Sequence, residues 1–264
     1  MLFSGQVRKM TTVFKAPIQY YLNLSGDLLH INALIDKKIE FKLKGYQCIN
    51  CNEEKPLYRM GFCKNCFFES PYASESIIRP ELSKAHLGIE ERNLEIEREI
   101  QLVPHIVYLA YTGDVKVGVT RVHQIPTRWI DQGATFALEI ARTKNRYEAG
   151  LIEVALKEKL ADKTNYKKML KDEYEDDLDL ADFREKVKEY FPQEMLEFYS
   201  TANDIWRLDY PYTAPDKVQS FTLDKEPNFS STLKGIKGQY LLFEEGKVMN
   251  IRNHEGYLVD LITH

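Results

Sequence analysis

Four cysteines, Cys48, Cys51, Cys63 and Cys66, form two CxxC pairs with eleven residues between them, and the chain has no other cysteine. Thiolates three residues apart on a tight turn reach one ion, and two such knuckles complete a tetrahedral sulfur site, so the spacing predicts zinc. Two disulfides are the competing reading, which a reducing cytosol disfavours. A thioredoxin-type redox pair needs a single CxxC opening a helix, whereas this chain has two, set among Asn, Lys and Gly. A four-sulfur site has no open coordination position, and its expected role is structural.

A second group of residues has the chemistry to act on phosphate. Tyr108 and Lys116 fall on two apolar runs, 106–110 and 115–119, joined by a Thr-Gly-Asp turn, so a hairpin sets them near each other. Arg128, in Pro-Thr-Arg-Trp, begins the following helix, where a guanidinium can offer its fork to a phosphate. In the next helix Ala149, Ile152, Leu156 and Leu160 recur along one face, and Glu153 sits one residue off that stripe. A carboxylate there is either a boundary residue of an amphipathic helix or a single metal ligand looking into a cleft.

The elements that must hold these groups are legible in outline. Strand-like runs at 19–23, 29–34 and 39–43 precede the cysteines, and others at 239–243, 247–252 and 257–261 close the chain. The two ends are expected to build one β-rich domain from residues 1–46 and 217–264, with the zinc knuckle at 47–70. Pro71 and Pro80 punctuate an expected linker at 71–104. Residues 105–170 alternate strands and helices, and 171–216 reads as an acidic helical segment.

The segment VYLAYTGDVKVGVTR, followed by TRW and TKNRYEAGLIEVALKEKLADKTN, resembles the GIY-YIG nuclease domain. It is most similar to the N-terminal nuclease of the bacterial excision-repair incision protein and to a phage-protein branch with KIG in place of YIG. Ile106-Val107-Tyr108 stands where GIY stands, Lys116-Val117-Gly118 where YIG stands, and the run from Glu148 to Glu153 where the family has its E-A-x-x-x-E helix. Arg128 matches the helix arginine. Asn165, twelve residues after Glu153, matches the asparagine that closes the motif. The likeness covers about 60 of 264 residues. The whole chain is also similar to an uncharacterised prokaryotic family that couples these parts, a likeness that names no function.

The resemblance implies an α+β protein with a GIY-YIG-like α/β module beside the β-rich domain. It also implies a one-metal phosphodiesterase acting on nucleic acid, DNA ahead of RNA. Glu153 would hold Mg²⁺ or Mn²⁺, Arg128 would neutralise charge on the phosphate, Tyr108 would assist deprotonation of water, and Asn165 would orient the phosphate. Tyr108 would need its pKa lowered by nearby cations. Two departures stand out: Ile106 replaces the leading glycine, and Lys116 replaces a tyrosine of the proton-transfer machinery. Arg121 competes with Arg128 for the arginine role, and His105 and His123 flank the hairpin as alternative bases. A non-catalytic nucleic-acid-binding module and a zinc-stabilised protein-interaction adaptor are the alternatives to a nuclease.

The balance of the chain sets the surrounding limits. With 36 Lys+Arg against 40 Asp+Glu, 44% hydrophobic and 29% charged residues, it has the composition of an ordinary globular protein. The charge is polarised, since 101–170 carries eleven bases and seven acids while 171–200 carries four bases and eleven acids. Lys234, Lys237 and Lys247, among Gly235, Gly238 and Tyr240, offer a second nucleic-acid edge or an ordinary solvated strand face. No apolar run approaches the roughly 18–20 residues of a membrane helix, and residues 1–10 lack a signal-peptide core, so a cytoplasmic protein without a membrane partner is expected.

Overall fold

The structure, a computed structural model, describes residues 1–160, 165–173, 179–202 and 204–263. Its strands are β1 (Leu2–Val13), β2 (Gln19–Leu24), β3 (Asp27–His30), β4 (Lys38–Tyr46), β5 (Leu57–Arg59), β6 (Phe62–Cys63), β7 (His105–Tyr111), β8 (Val115–Arg121), β9 (Phe136–Thr143), β10 (Trp206–Arg207), β11 (Gln219–Ser220), β12 (Asn228–Lys237), β13 (Tyr240–Phe243), β14 (Lys247–Asn250) and β15 (Tyr257–Thr263). Its helices are α1 (Lys64–Glu69), α2 (Glu75–Ile78), α3 (Leu94–Gln101), α4 (Thr127–Asp131), α5 (Arg146–Lys157), α6 (Tyr166–Lys171) and α7 (Leu180–Lys188). The class is α+β. The chain divides into two units, Met1–Phe68 with Asp209–His264, and Glu69–Leu208.

In the first unit a nine-stranded sheet runs in the order β11-β14-β13-β12-β4-β15-β1-β2-β3. β1 pairs antiparallel with β15 from Leu2↔Ile262 to Gln6↔Leu258, so the two ends of the chain share one sheet. The run expected as a strand at 29–34 divides: β3 stops at His30, and Ile31–Leu34 make a 3-10 turn. The cause is Asn32, whose side chain accepts from the Tyr20 N–H at 2.7 Å and donates to the Ile18 carbonyl at 2.9 Å. Such side-chain bonds offer the backbone an alternative to the ladder. β1 and β12, which no alternation marks, both carry register shifts, at 8–11 and 233–235. A bulge breaks the period of two on which strand recognition rests.

In the second unit β10, β9, β7 and β8 form an antiparallel sheet in that order. All seven residues of β7 are buried, which places a layer on each of its faces. On one face Val107, Leu109 and Tyr111 join Val115, Val117 and Val119 of β8 and Ala149, Ile152 and Leu156 of α5 in a single core. On the other, Tyr108 meets Trp129 of α4 edge-to-face, with ring centroids 5.9 Å apart. Successive strand residues point to opposite faces, so α5 and α4 lie on opposite sides of the sheet. Residues of both helices nevertheless line one pocket together with residues of β8, the strand at the end of the sheet.

Residues 71–104, expected as a linker, carry α2, α3 and 3-10 turns. Part of this stretch packs directly on α5: a Cβ on Gly150 would stand 2.3 Å from the Glu81 nitrogen, so only glycine allows the approach. In the acidic segment, α7 buries Leu180, Arg184 and Val187 and leaves its acids outward. Glu175, Asp176 and Asp177 of that run, and Asp162, Lys163 and Thr164 of the motif, lie outside the described residues. Among the described residues no helix is long and apolar enough to cross a membrane.

Candidate active site and metal centre

The pocket lined by residues of α4, α5 and β8 has a volume of about 160 Å³. Tyr108 from β7, Lys116 and Gly118 from β8, Arg128 from α4 and Glu153 from α5 all line it. Tyr108 pairs with Gly118 across the hairpin and Ala110 with Lys116, so Tyr108 and Lys116 share a face and are diagonal neighbours. Gly118 is required by this arrangement. A Cβ there would lie 2.6 Å from Tyr108 Oη, because the phenol ring lies across the glycine. Tyr108 is wholly buried, and its hydroxyl makes no hydrogen bond among the described residues.

Burial sets the protonation of the site. It raises the pKa of Tyr108, and the opposing pull of Arg128 does not reverse the direction. The expectation that cations lower this tyrosine is therefore corrected, since desolvation of a phenolate outweighs them. Burial likewise lowers Lys116, helped by the like charge of Arg128, to about 8. Glu153 is 7% exposed and is pushed up by burial against the pull of Lys157 and Arg146. Its Oε2 has Lys157 Nζ at 3.4 Å and makes no hydrogen bond among the described residues. A buried carboxylate oxygen held by this long ion pair suits a hard cation, and among the described residues it comes from the only carboxylate lining the pocket.

Not every expected residue belongs here. Asn165 does not line the pocket; its side chain accepts from the backbone N–H groups of Lys167 and Lys168 at 3.1 and 3.4 Å and caps α6. With its oxygen so committed, the phosphate-orienting role implied by the resemblance has no geometric support. Arg121 and His123 are also absent from the lining. His105 is fully buried, with Nδ1 at 2.7 Å from the Val103 carbonyl, and burial lowers it to about 4, which keeps it neutral. Tyr111 packs in the core, and Trp129 is buried between Tyr108 and Trp206.

Three polar lining residues escaped the sequence reading: Gln132, Arg146 and Lys157. Lys157 is four residues beyond Glu153, a spacing at which opposite charges on a helix meet, and that signal was available. Arg146 and Gln132 carry no such mark. In the C-terminal strands, the three lysines expected as a possible nucleic-acid edge are all engaged. Lys234 pairs with Asp36 at 2.9 Å and Lys247 with Glu226 at 2.7 Å, while Lys237 is fully buried and donates to Tyr212 Oη at 2.8 Å.

The four cysteines are all unpaired, and their sulfurs lie within 4.8 Å of one another. A tetrahedral ion with metal–sulfur bonds of about 2.3 Å sets its sulfurs about 3.8 Å apart, so a small contraction closes the cluster on a metal. The backbone is already arranged for sulfur ligands. Cys48 Sγ accepts from the N–H groups of Cys63 at 3.2 Å and Asn50 at 3.5 Å, and Cys66 Sγ accepts from Asn50 Nδ2 at 3.4 Å. Burial pushes the Cys48 thiol up, but the N–H groups of Cys51, Cys63 and Asn50 together bring it to about 6. Burial drives Cys66 up to about 12. Thiols packed this closely compete for one negative charge, and a divalent cation removes the conflict.

No curated protein and no solved structure matches the chain. A family model does: it spans residues 36–259, which include the cysteine cluster and every residue lining the pocket. The chain thus belongs to the family described as "Protein of unknown function (DUF2797)".

Proposed function

We propose that residues 69–208 are a GIY-YIG-type phosphodiesterase acting on nucleic acid, with DNA as the first substrate class to test, and that the four cysteines hold a structural zinc ion. One observation carries the enzymatic reading. Tyr108, Lys116, Arg128 and Glu153, taken from four separate elements and up to 45 positions apart in sequence, line one pocket.

The residues divide the work by their charge. Arg128, exposed at the pocket, meets the phosphate with a guanidinium fork and offsets charge that builds on its non-bridging oxygens. Tyr108 stays protonated and is a hydrogen-bond donor. Lys116, near 8, is the lining group able to give up and take a proton close to neutrality, in the place of the missing tyrosine. Glu153 would hold Mg²⁺ or Mn²⁺, which as a Lewis acid supplies stabilisation of the leaving oxygen. Gln132, Arg146 and Lys157 complete the polar lining.

The test is incubation of the purified protein with plasmid, single-stranded, branched and RNA substrates in Mg²⁺ and in Mn²⁺. Cleavage of at least one, weakened by Arg128→Ala, is expected. The excess of cations in the pocket favours a second reading, a module that binds phosphates without cutting. Salt-dependent binding that falls in Arg128→Ala, with no cleavage of any substrate, would establish that reading instead.

A further inference from the structure

Arg146 stands out among the pocket residues because two backbone carbonyls, and no carboxylate among the described residues, hold its guanidinium. It is half-buried at the first turn of α5, and its hydrogen-bond partners are neutral: Nε donates to the Ser76 carbonyl at 2.8 Å and Nη2 to the Ile77 carbonyl at 2.7 Å. Nε and Nη2 form one edge of a guanidinium. Two of its five N–H donors are thereby used, and three remain, two of them along the edge between Nη1 and Nη2. Taking a charge out of water is costly unless it is paired, and backbone carbonyls do not neutralise it. Among the described residues Arg146 makes no ion pair within 4 Å, although Glu153 and Glu81 are near enough to act on it through space. The side chain lines the same pocket as Lys116, Arg128 and Lys157, where four cationic groups face one carboxylate.

We propose that this pocket binds a single phosphoryl group without help from a metal, and that Arg146 grips it through the Nη1–Nη2 edge, pre-oriented by the two carbonyls. The carbonyls belong to the segment that expectation had left as a linker. They fix the guanidinium before the ligand arrives, so little side-chain freedom is lost on binding. The size agrees. About 160 Å³ is the space of roughly five liquid waters, room for one phosphate and its linking oxygens and too small for a nucleobase with its sugar. Ile77, Ile78 and Pro80 add an apolar part to the lining. The inference deepens the phosphodiesterase reading by assigning a phosphate-binding residue, yet it requires no hydrolysis.

The experiment is calorimetric titration of the full-length protein in EDTA with inorganic phosphate, and separately with a short single-stranded DNA. Wild type, Arg146→Gln, Arg146→Lys and Lys144→Gln are compared, Lys144 being a neighbouring cation outside the pocket lining. Wild type should bind both ligands. Arg146→Gln should lose at least tenfold in affinity for each, and Arg146→Lys at least threefold, because an ammonium keeps the charge and loses the fork. Lys144→Gln should leave phosphate binding within twofold. Binding of the DNA alone would show that the site needs a strand and not a phosphoryl group, and would overturn the proposal. So would wild-type affinity in Arg146→Gln. Should that variant fail to fold, unchanged phosphate affinity in folded Arg146→Lys would overturn it equally. If phosphate binds through Arg146 while no substrate is ever cleaved, the phosphodiesterase reading fails and this site stands.

Discussion

At the residue scale, the contact between Tyr108 and Gly118 explains why the hairpin needs both residues, and it predicts how they trade. Gly118→Ala places a methyl 2.6 Å from the phenol oxygen in a closed environment, and overpacking of this kind costs about 1–3 kcal/mol. Tyr108→Phe removes a buried oxygen that makes no well-formed hydrogen bond among the described residues, so its stability should match or exceed wild type while cleavage falls. In the double variant the phenylalanine should recover part of the alanine's cost, and denaturant midpoints of the four proteins would measure that coupling. His105 gives a pH-dependent counterpart. Burial first, with Arg146, Arg121 and His123 adding like charge, holds its folded pKa at about 4, below the ordinary 6.5. The folded protein therefore keeps His105 neutral while the unfolded chain takes up a proton as pH falls below 6.5. Stability should fall between pH 6.5 and 4, on the order of 3 kcal/mol from this one group, and urea titrations of wild type and His105→Gln should differ in that slope.

At the scale of elements, what could be read from the chain depended on how each element buries itself. The runs around Tyr108 and Lys116 were legible because β7 is buried on both faces and reads as continuous apolar sequence. The stripe of α5 was legible because its helix is long enough to repeat. β1 and β12 were not, because bulges interrupt their alternation, and α2 and α3 were hidden by short lengths and a high content of charge. Of the pocket, the residues tied to a motif were foreseen, whereas Arg146 owes its place to carbonyls 69 and 70 positions away. Asn165 is the opposite case, a motif position that caps α6 and does not line the pocket. Its geometry predicts that Asn165→Ala lowers stability by about 0.5–2 kcal/mol through α6 and leaves the rate of cleavage, measured on folded protein, near that of wild type. A large fall in rate without a fall in stability would return Asn165 to the chemistry.

At the scale of the molecule, the pocket and the cysteine cluster lie in different units, so loss of one site need not abolish the other. Metal analysis of purified protein should give about one zinc per chain, and Cys63→Ser should lower the thermal midpoint and release zinc, since a structural ion contributes its binding energy to folding. Fully folded protein without bound metal would contradict the structural role. The central claim is that Glu153 serves chemistry at the pocket, and the most direct measurement compares wild type with Glu153→Gln on one substrate panel in Mg²⁺ and Mn²⁺, with thermal midpoints recorded alongside. Wild type should cleave, and the variant, nearly the same shape and at least as stable because a buried charge has been removed in favour of a neutral amide, should lose cleavage by a hundredfold or more. Equal cleavage by the two proteins, or none by wild type, would contradict it.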